Sequence, residues 1–306
     1  MQTILGANGT IGSILAKELR AYTDKIRLVS RDPKKTNDTD ELFPADLSDP
    51  SLVDKAIEGS DVVYLLVGFD YKIKVWQDKW PKLMRATLDA CTRHKAKLVF
   101  FDNVYLYDKN AIPHMTEDSQ VNPPSEKGKV RQQIAEMMMN KIKNGKLKGL
   151  IARSADFYGP HNAKSALQEM AYKNMEKGKS PMWMIDADKI HSFTYTPDAA
   201  KAVAILGNTA DAYNQTWHLP TSTEKFTARK IIDLFNKEMG TSKKLKLMSM
   251  WMLKLLGIFI PILREMPEMM YQNDRDYYFD SSKFNKRFSF IPTSYQEGVK
   301  QTVAAG

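Results

Sequence analysis

The sequence predicts an α/β fold, a doubly wound parallel sheet with a smaller C-terminal α/β lobe. Three observations carry this. Short runs that are apolar on both faces recur through the first 150 residues, amphipathic stretches separate them, and a glycine-rich turn joins the first run to the first such stretch. Runs without alternation suit strands buried on both faces of a parallel sheet, and such a sheet needs helical crossovers. At 306 residues the chain exceeds the size at which one core stops growing, about 250–300 residues, so two lobes are expected.

Gln2–Leu5 reads as the first strand, Ile11–Arg20 as a helix and Ile26–Ser30 as the second strand. Leu52–Ile57 is helical, Asp61–Val67 is a second fully apolar run, and Trp80–His94 places Leu83, Met84, Leu88 and Cys91 at helical spacing. Lys97–Phe101 is a further buried strand, followed by a helix over Glu126–Lys143 and a strand over Leu147–Arg153. Gly159-Pro160 breaks the pattern and marks the exit from the regular lobe. The expected division is 1–158 for the sheet domain and 159–306 for the second lobe, with about 186–206 returning to the sheet. In that second part, residues 163–177 read as helix, His191–Thr196 as a β-rich run, Pro197–Gly207 as a helix opened by Pro197 and Asp198, and Thr227–Met239 as another helix.

Leu247–Leu263 is apolar apart from Ser249, Lys254 and Gly257. A membrane span needs about 20 consecutive apolar residues, and this stretch is short, charged and interrupted by Pro261, so no integral span is expected. It is assigned to the second lobe, where with Met266, Met269, Met270 and Tyr271 it lines an apolar pocket or a dimer surface. Peripheral contact with a membrane is the third reading.

Composition narrows the function class. The formal net charge is +9, from 45 Lys+Arg against 36 Asp+Glu, and the lysines crowd into Lys141–Lys148 and Lys243–Lys246 without interleaved aromatics. That pattern reads as a solvated basic face rather than a nucleic-acid surface, which would need a reading module. One cysteine, Cys91, excludes an internal disulfide, and the start at Met1-Gln2-Thr3 leaves no room for a leader, so a cytoplasmic protein is expected. The five histidines are scattered without an i, i+4 pair, which argues against a metal site, and there is no Gly-x-Ser-x-Gly elbow.

Gly6-Ala7-Asn8-Gly9-Thr10-Ile11-Gly12 follows the first strand and opens a helix, the context that gives a dinucleotide fingerprint its meaning. Gly6 permits the tight turn, Gly9 lets the backbone approach a pyrophosphate, and Gly12 lets helix and strand pack closely, while the helix N-terminus offers free N–H groups. The bland alternative is a glycine turn without a ligand. An NAD site places a carboxylate at the end of the second strand, but here that strand ends in Ser30-Arg31. A hydroxyl and a guanidinium suit a 2′-phosphate, which favours NADP with NAD as the alternative. Arg31 as a solvent-facing turn residue is the competing reading.

With the segments downstream, this Rossmann fingerprint resembles the extended or atypical branch of the short-chain dehydrogenase/reductase superfamily, in its NAD-dependent epimerase/dehydratase group. Ala45-Asp46-Leu47 is similar to the family's adenine-contacting "GDL", and Leu66, Val67 and Gly68 to the turn beside the nicotinamide ribose. Arg153-Ser154-Ala155-Asp156-Phe157-Tyr158-Gly159-Pro160 resembles "RPxxxYGP", and residues 191–200 resemble "hxfxyvxDvA". The resemblance implies coenzyme contacts at Asp46, Leu47, Ala155 and Phe157. It also implies a nucleotide-sugar substrate and, by analogy, a homodimer.

The resemblance breaks at the catalytic motif. Phe101-Asp102-Asn103-Val104-Tyr105 set against "SSxxVYG" puts Asn103 at the orienting serine, and Pro124-Ser125-Glu126-Lys127-Gly128-Lys129-Val130-Arg131 set against "PxSxYGxSK" puts Lys127 at the tyrosine and Arg131 at the lysine. Asn103 can donate an amide hydrogen bond, and Arg131 keeps a positive charge at the ribose. Lys127 serves as proton donor if partial burial and Arg131 lower its pKa from about 10.4. Tyr105, two residues after Asn103, shares its side if the backbone is extended and offers a phenol. The alternative is that Lys127 and Arg131 lie one turn apart on an exposed helix face. His161 and Asn162 fall where related enzymes touch substrate, or serve the loop.

Two functions remain open. One is an NADP-dependent oxidoreductase or epimerase/dehydratase-like enzyme that transfers hydride to or from a small carbonyl or hydroxyl compound. A nucleotide-sugar follows from the resemblance, and a less polar molecule from the apolar Met248–Leu263 segment. The other is a non-catalytic NADP-binding sensor or regulatory protein.

Overall fold

The structure, a computed structural model, describes residues 1–162 and 165–306. In chain order its first elements are β1 (Gln2–Leu5), α1 (Thr10–Glu18), β2 (Ile26–Ser30), β3 (Glu41–Pro44), α2 (Pro50–Ile57), β4 (Val62–Leu65), α3 (Ile73–His94) and β5 (Lys97–Asp102). Then come α4 (Glu126–Lys143), β6 (Gly149–Arg153), β7 (Asp156–Tyr158), α5 (Lys173–Glu176), β8 (Met182–Met184), β9 (Phe193–Tyr195), α6 (Thr196–Gly207) and β10 (Thr216–His218). The last are α7 (Ala228–Glu238), β11 (Lys246–Met248), α8 (Met250–Leu256), α9 (Pro261–Arg264), α10 (Ser282–Phe288) and α11 (Tyr295–Ala304).

Two compact units emerge. The first comprises 1–103, 129–153 and 199–217, and the second comprises 104–128, 154–198 and 218–306. The chain therefore passes between units several times, where the sequence suggested one boundary after residue 158 and a single return. Contact density groups 104–128 with the later segments because Val104, Tyr107, Ile112 and Met115 pack with Tyr277 and Phe279.

The first unit is a seven-stranded sheet in the order β10-β6-β5-β4-β1-β2-β3, and its five pairings from β6 to β3 are all parallel. Its central strands carry Ile4, Leu5, Val29, Val63, Leu65, Leu98 and Phe100 fully buried, which is why the sequence reads there as runs rather than alternation. The sequence announced no strand at β10, and two further elements depart from expectation. β3 lies at the sheet edge with three of its four residues exposed, so no apolar run announced it. α3 begins seven residues before Trp80, with Pro81 inside it. Trp76 in that added part and Trp80 just after it are both buried, so packing carries the helix through a residue that by local rules reads as its first turn.

The second unit contains two small parallel pairings, β7 with β9 and β8 with β11. Its core joins Tyr158, Trp183, Phe193, Tyr195, Phe235 and Tyr295. Thr227 caps α7 by accepting from the Lys230 N–H at 3.2 Å, and Ser294 caps α11 from the Glu297 N–H at 3.3 Å. The helix expected over 163–177 starts on two residues outside those described, and from Ala166 it includes a π-helical stretch at Gln168–Tyr172 before α5. Leu247–Leu263 resolves into the end of β11, α8 and most of α9 rather than one element. Among the described residues no helix is long and apolar enough to cross a membrane.

Candidate functional site

In the first unit the glycine loop is built as the fingerprint requires. Gly6 and Ala7 donate to the Val29 carbonyl at 2.9 and 3.2 Å, which fastens the turn to the end of β2. Gly6 has φ +91°, and a β-carbon there would lie 3.0 Å from the backbone of Leu66 and Val67. At Gly12 a β-carbon would lie 2.4 Å from the Ala7 carbonyl oxygen. Asn8 donates to the Asp32 carbonyl at 2.6 Å. Gly9 is the N-cap of α1 and offers no side-chain acceptor, so the amide end of that helix, with Thr10 and the buried Ile11, carries no side-chain cap.

Two further features lie beside it. The Ser30 hydroxyl is buried without a hydrogen-bond partner among the described residues, and the exposed Arg31 follows it. A buried, unpaired hydroxyl is costly unless something completes it, and a ribose or phosphate oxygen would. These residues fit a dinucleotide. Asp46 is exposed, and its carboxyl is held below the usual carboxylate range by the Ser48 backbone and hydroxyl, with the Arg31 charge as a smaller contribution. Leu47 is half-buried, Leu66 donates to the Leu5 carbonyl at 2.9 Å, and Val67 and Gly68 continue from that exit of β4.

Arg131 is buried, not exposed. Its Nε donates to Asp102 Oδ1 at 2.7 Å, and its guanidinium lies 4.4 Å from the Trp80 ring centroid and 5.1 Å from Phe100. Arg153 Nε reaches the other oxygen of Asp102 at 3.2 Å, a pairing that follows from the β5–β6 register, where Asp102 stands opposite Arg153. Asn103, half-buried, follows directly at the end of β5.

In the second unit Lys127 is fully buried and its ammonium is bracketed by Glu265 Oε2 and Glu268 Oε1, each at 2.6 Å. The other oxygen of Glu268 accepts from the Glu126 N–H at 2.8 Å, and the Ser125 hydroxyl accepts from the Gly128 N–H at 3.0 Å. Lys127 and the start of α4 are thus held by one acidic segment 138 residues on. This overturns the exposed-face alternative. It also removes the premise of the proton-donor argument: burial is complete rather than partial, two carboxylates balance it, and Arg131 is committed to Asp102.

Tyr105 is half-buried and does not lie on an extended segment with Asn103, because residues 104–107 form a turn closed by the Tyr107 N–H on the Val104 carbonyl at 3.1 Å. Gly128 is pressed onto this turn, since a β-carbon there would meet the Tyr105 carbonyl oxygen at 2.3 Å. Ala155 donates to Thr194 Oγ1 at 3.2 Å, and Phe157 is half-buried on β7. His161 is exposed at φ +54° and Asn162 is buried. Tyr271 brings another phenol to the Ser125 cap, pushed up to about 12 chiefly by burial.

Sequence reasoning missed Asp102, Glu265 and Glu268. An acid closing an apolar strand was a usable signal for Asp102, since a buried carboxylate demands a counter-charge. Nothing local marks the two glutamates. His191 pairs with Asp156 at 2.9 Å and His218 with Tyr107 at 2.7 Å, while among the described residues no group of three or more His, Cys, Asp or Glu could hold a metal ion.

Comparison with known proteins agrees with this architecture. The chain superposes on UDP-glucose 4-epimerase from Thermotoga maritima with UDP-glucose at TM-score 0.82 and 16% identity, covering 100% of this chain and 98% of that one. UDP-N-acetylglucosamine 4-epimerase from Methanobrevibacter ruminantium, in complex with UDP-N-acetylmuramic acid, gives 0.81 at 17% identity, covering 99% and 97%. UDP-glucose 4-epimerase from Thermus thermophilus, in complex with NAD, gives 0.79 at 16% identity, covering 100% and 98%. These likenesses establish the fold, and no curated protein sequence matches the chain. The NAD dependent epimerase/dehydratase family matches residues 3–218, which takes in the glycine loop, β5 and α4, and the chain belongs to that family.

Proposed function

We propose that the protein is a nicotinamide-coenzyme-dependent enzyme that oxidises and reduces a hydroxyl or carbonyl carbon of a small molecule, with a nucleotide-linked sugar as the first class to test. The observation that carries this is the three-glycine cradle at the uncapped end of α1, with the orphaned Ser30 hydroxyl beside it. In this reading Gly6, Ala7, Asn8, Gly9, Thr10, Ile11 and Gly12 hold the pyrophosphate. Ser30 and Arg31 hold a 2′-phosphate, which favours NADP over NAD. Asp46, Leu47, Leu66, Val67, Gly68, Ala155 and Phe157 are the remaining coenzyme contacts. When bound, the nicotinamide ring supplies the hydride chemistry. Asn103 orients the substrate oxygen through its amide. Tyr105 takes the proton-transfer role ahead of Lys127, whose ammonium is committed to Glu265 and Glu268, and Arg131 acts by holding the end of β5 through Asp102.

A second reading has its own support. The two residues that replace the family's tyrosine and lysine are both tied to internal carboxylates, as expected of a coenzyme-binding protein without turnover. A screen of NADPH oxidation against aldehydes and ketones, and of nucleotide-sugar conversion, separates the two. The enzyme reading expects turnover that falls about 100-fold or more in Tyr105→Phe, the usual worth of a positioned general acid. Coenzyme binding without turnover in any class, with clearly different affinities for the oxidised and reduced forms, would favour the sensor. Failure to bind any pyridine coenzyme overturns both.

A further inference from the structure

Residues 241–264 carry an unusual distribution of charge and exposure. The segment has five basic residues, Lys243, Lys244, Lys246, Lys254 and Arg264, and no Asp or Glu. Within it α8 and α9 form a short hairpin around residues 257–260. Trp251, Leu255, Ile258, Phe259, Ile260 and Ile262 are exposed on it, Trp251 to 67% and Phe259 to 78%, while Leu253 is fully buried. Large apolar side chains massed at one tip mark an interaction surface rather than ordinary scatter.

Most of the backbone of that tip is hydrogen-bonded within the hairpin. Gly257, Ile258, Phe259 and Ile260 donate to carbonyls of residues 253–256 at 2.8–3.2 Å, and Leu263 donates to the Ile260 carbonyl at 3.0 Å. The carbonyls of Gly257 and Ile258 accept from Arg264 Nε and Nη2, each at 3.2 Å. Turns in water form such bonds too, but there water completes any polar group left open. A loop entering hydrocarbon must complete them internally.

We propose that this hairpin docks the protein on an anionic lipid bilayer. Ile258, Phe259 and Ile260 enter the acyl boundary, Trp251 lies at headgroup level, and the lysines face the lipid phosphates. Charge favours this occupant over a second copy of the chain. A symmetric self-interface would set the acid-free, basic segments of both copies against each other, whereas an anionic surface complements them. The proposal is independent of the coenzyme reading, because it uses no residue of that site.

The test is flotation of the full chain with vesicles of phosphatidylcholine alone and of phosphatidylcholine with phosphatidylglycerol, read together with tryptophan emission. Trp76, Trp80, Trp183 and Trp217 are buried, so a blue shift on binding reports Trp251. Binding to the anionic vesicles is expected, weakened by added salt. The double variant Ile258→Ser/Phe259→Ser should lower the partition coefficient by about tenfold or more, with an unchanged thermal midpoint. Lys243→Glu/Lys254→Glu should lower it and flatten its salt dependence. Absence of flotation with anionic vesicles, or equal binding by the Ile258→Ser/Phe259→Ser variant, overturns the proposal. So does a dimer that this variant converts to monomer while no vesicle binding is seen, which would assign the face to a second copy.

Discussion

Replacing Lys127 by methionine would leave Glu265 and Glu268 facing each other without their shared counter-ion. Both glutamates keep some access to water, so the expected cost is about 3 kcal/mol, the low end for removing one partner of a buried ion pair. Urea unfolding of Lys127→Met measures it, and adding Glu265→Gln and Glu268→Gln should recover part of the loss. Wild-type stability in the single variant would mean that the clasp contributes nothing. At the other end of the chain, Arg31→Asp should weaken NADPH by about 10–100-fold, the worth of charge-assisted hydrogen bonds to a phosphate, while sparing NADH. Fluorescence titration with both coenzymes checks this, and an equal effect on the two would return Arg31 to the role of a turn residue. The glycines and Arg31 stand in one continuous loop-and-strand context, so their neighbourhood could be read from order. The partners of Lys127 could not, because a counter-ion 138 residues away leaves no trace in local spacing.

At the scale of elements, β1, β2, β4, β5 and β6 of the first sheet and helix α4 match the sequence expectation, because burial on both faces and helical spacing are local signals. β3, β7, β8 and β10 are short or partly exposed, and pairing rather than composition makes them strands. α11 shows how packing can reverse a propensity rule. Alanine normally favours a helix over glycine by about 1 kcal/mol, but a β-carbon at Gly298 would lie 2.3 Å from the Tyr158 hydroxyl. Gly298→Ala should therefore destabilise by about 1–3 kcal/mol, as overpacking does, and a thermal melt that rises instead would refute the close packing of α11 on Tyr158.

At the scale of the whole molecule, buried phenols set the alkaline limit. Burial pushes Tyr172, Tyr195 and Tyr271 up to about 12, and Tyr158, Tyr277 and Tyr295 are also raised, burial again being the main cause. All six belong to the second unit. In the unfolded chain these groups titrate near 10, so between about pH 10 and pH 12 the unfolded state binds fewer protons than the folded one. Stability should be unaffected by them below pH 10 and fall as pH rises through that window. The urea midpoint should drop with the appearance of phenolate absorbance, and a midpoint flat from pH 9 to pH 12 would contradict the burial of these rings.

Sequence alone determined the parallel sheet, the glycine loop and its place at the start of α1, because each depends on residues adjacent in the chain or repeated at a fixed period. It also singled out positions 103, 127 and 131, through their distance from recognisable neighbours. Only the tertiary structure decided what Lys127 and Arg131 face. The clasp of Glu265 and Glu268 on Lys127, the seat of Arg131 between Asp102 and Trp80, and the closure of the 257–260 tip by Arg264 are set by folding-dependent proximity. Electrostatic pairing and desolvation act through space, and the linear order of side chains encodes them only once the backbone has folded.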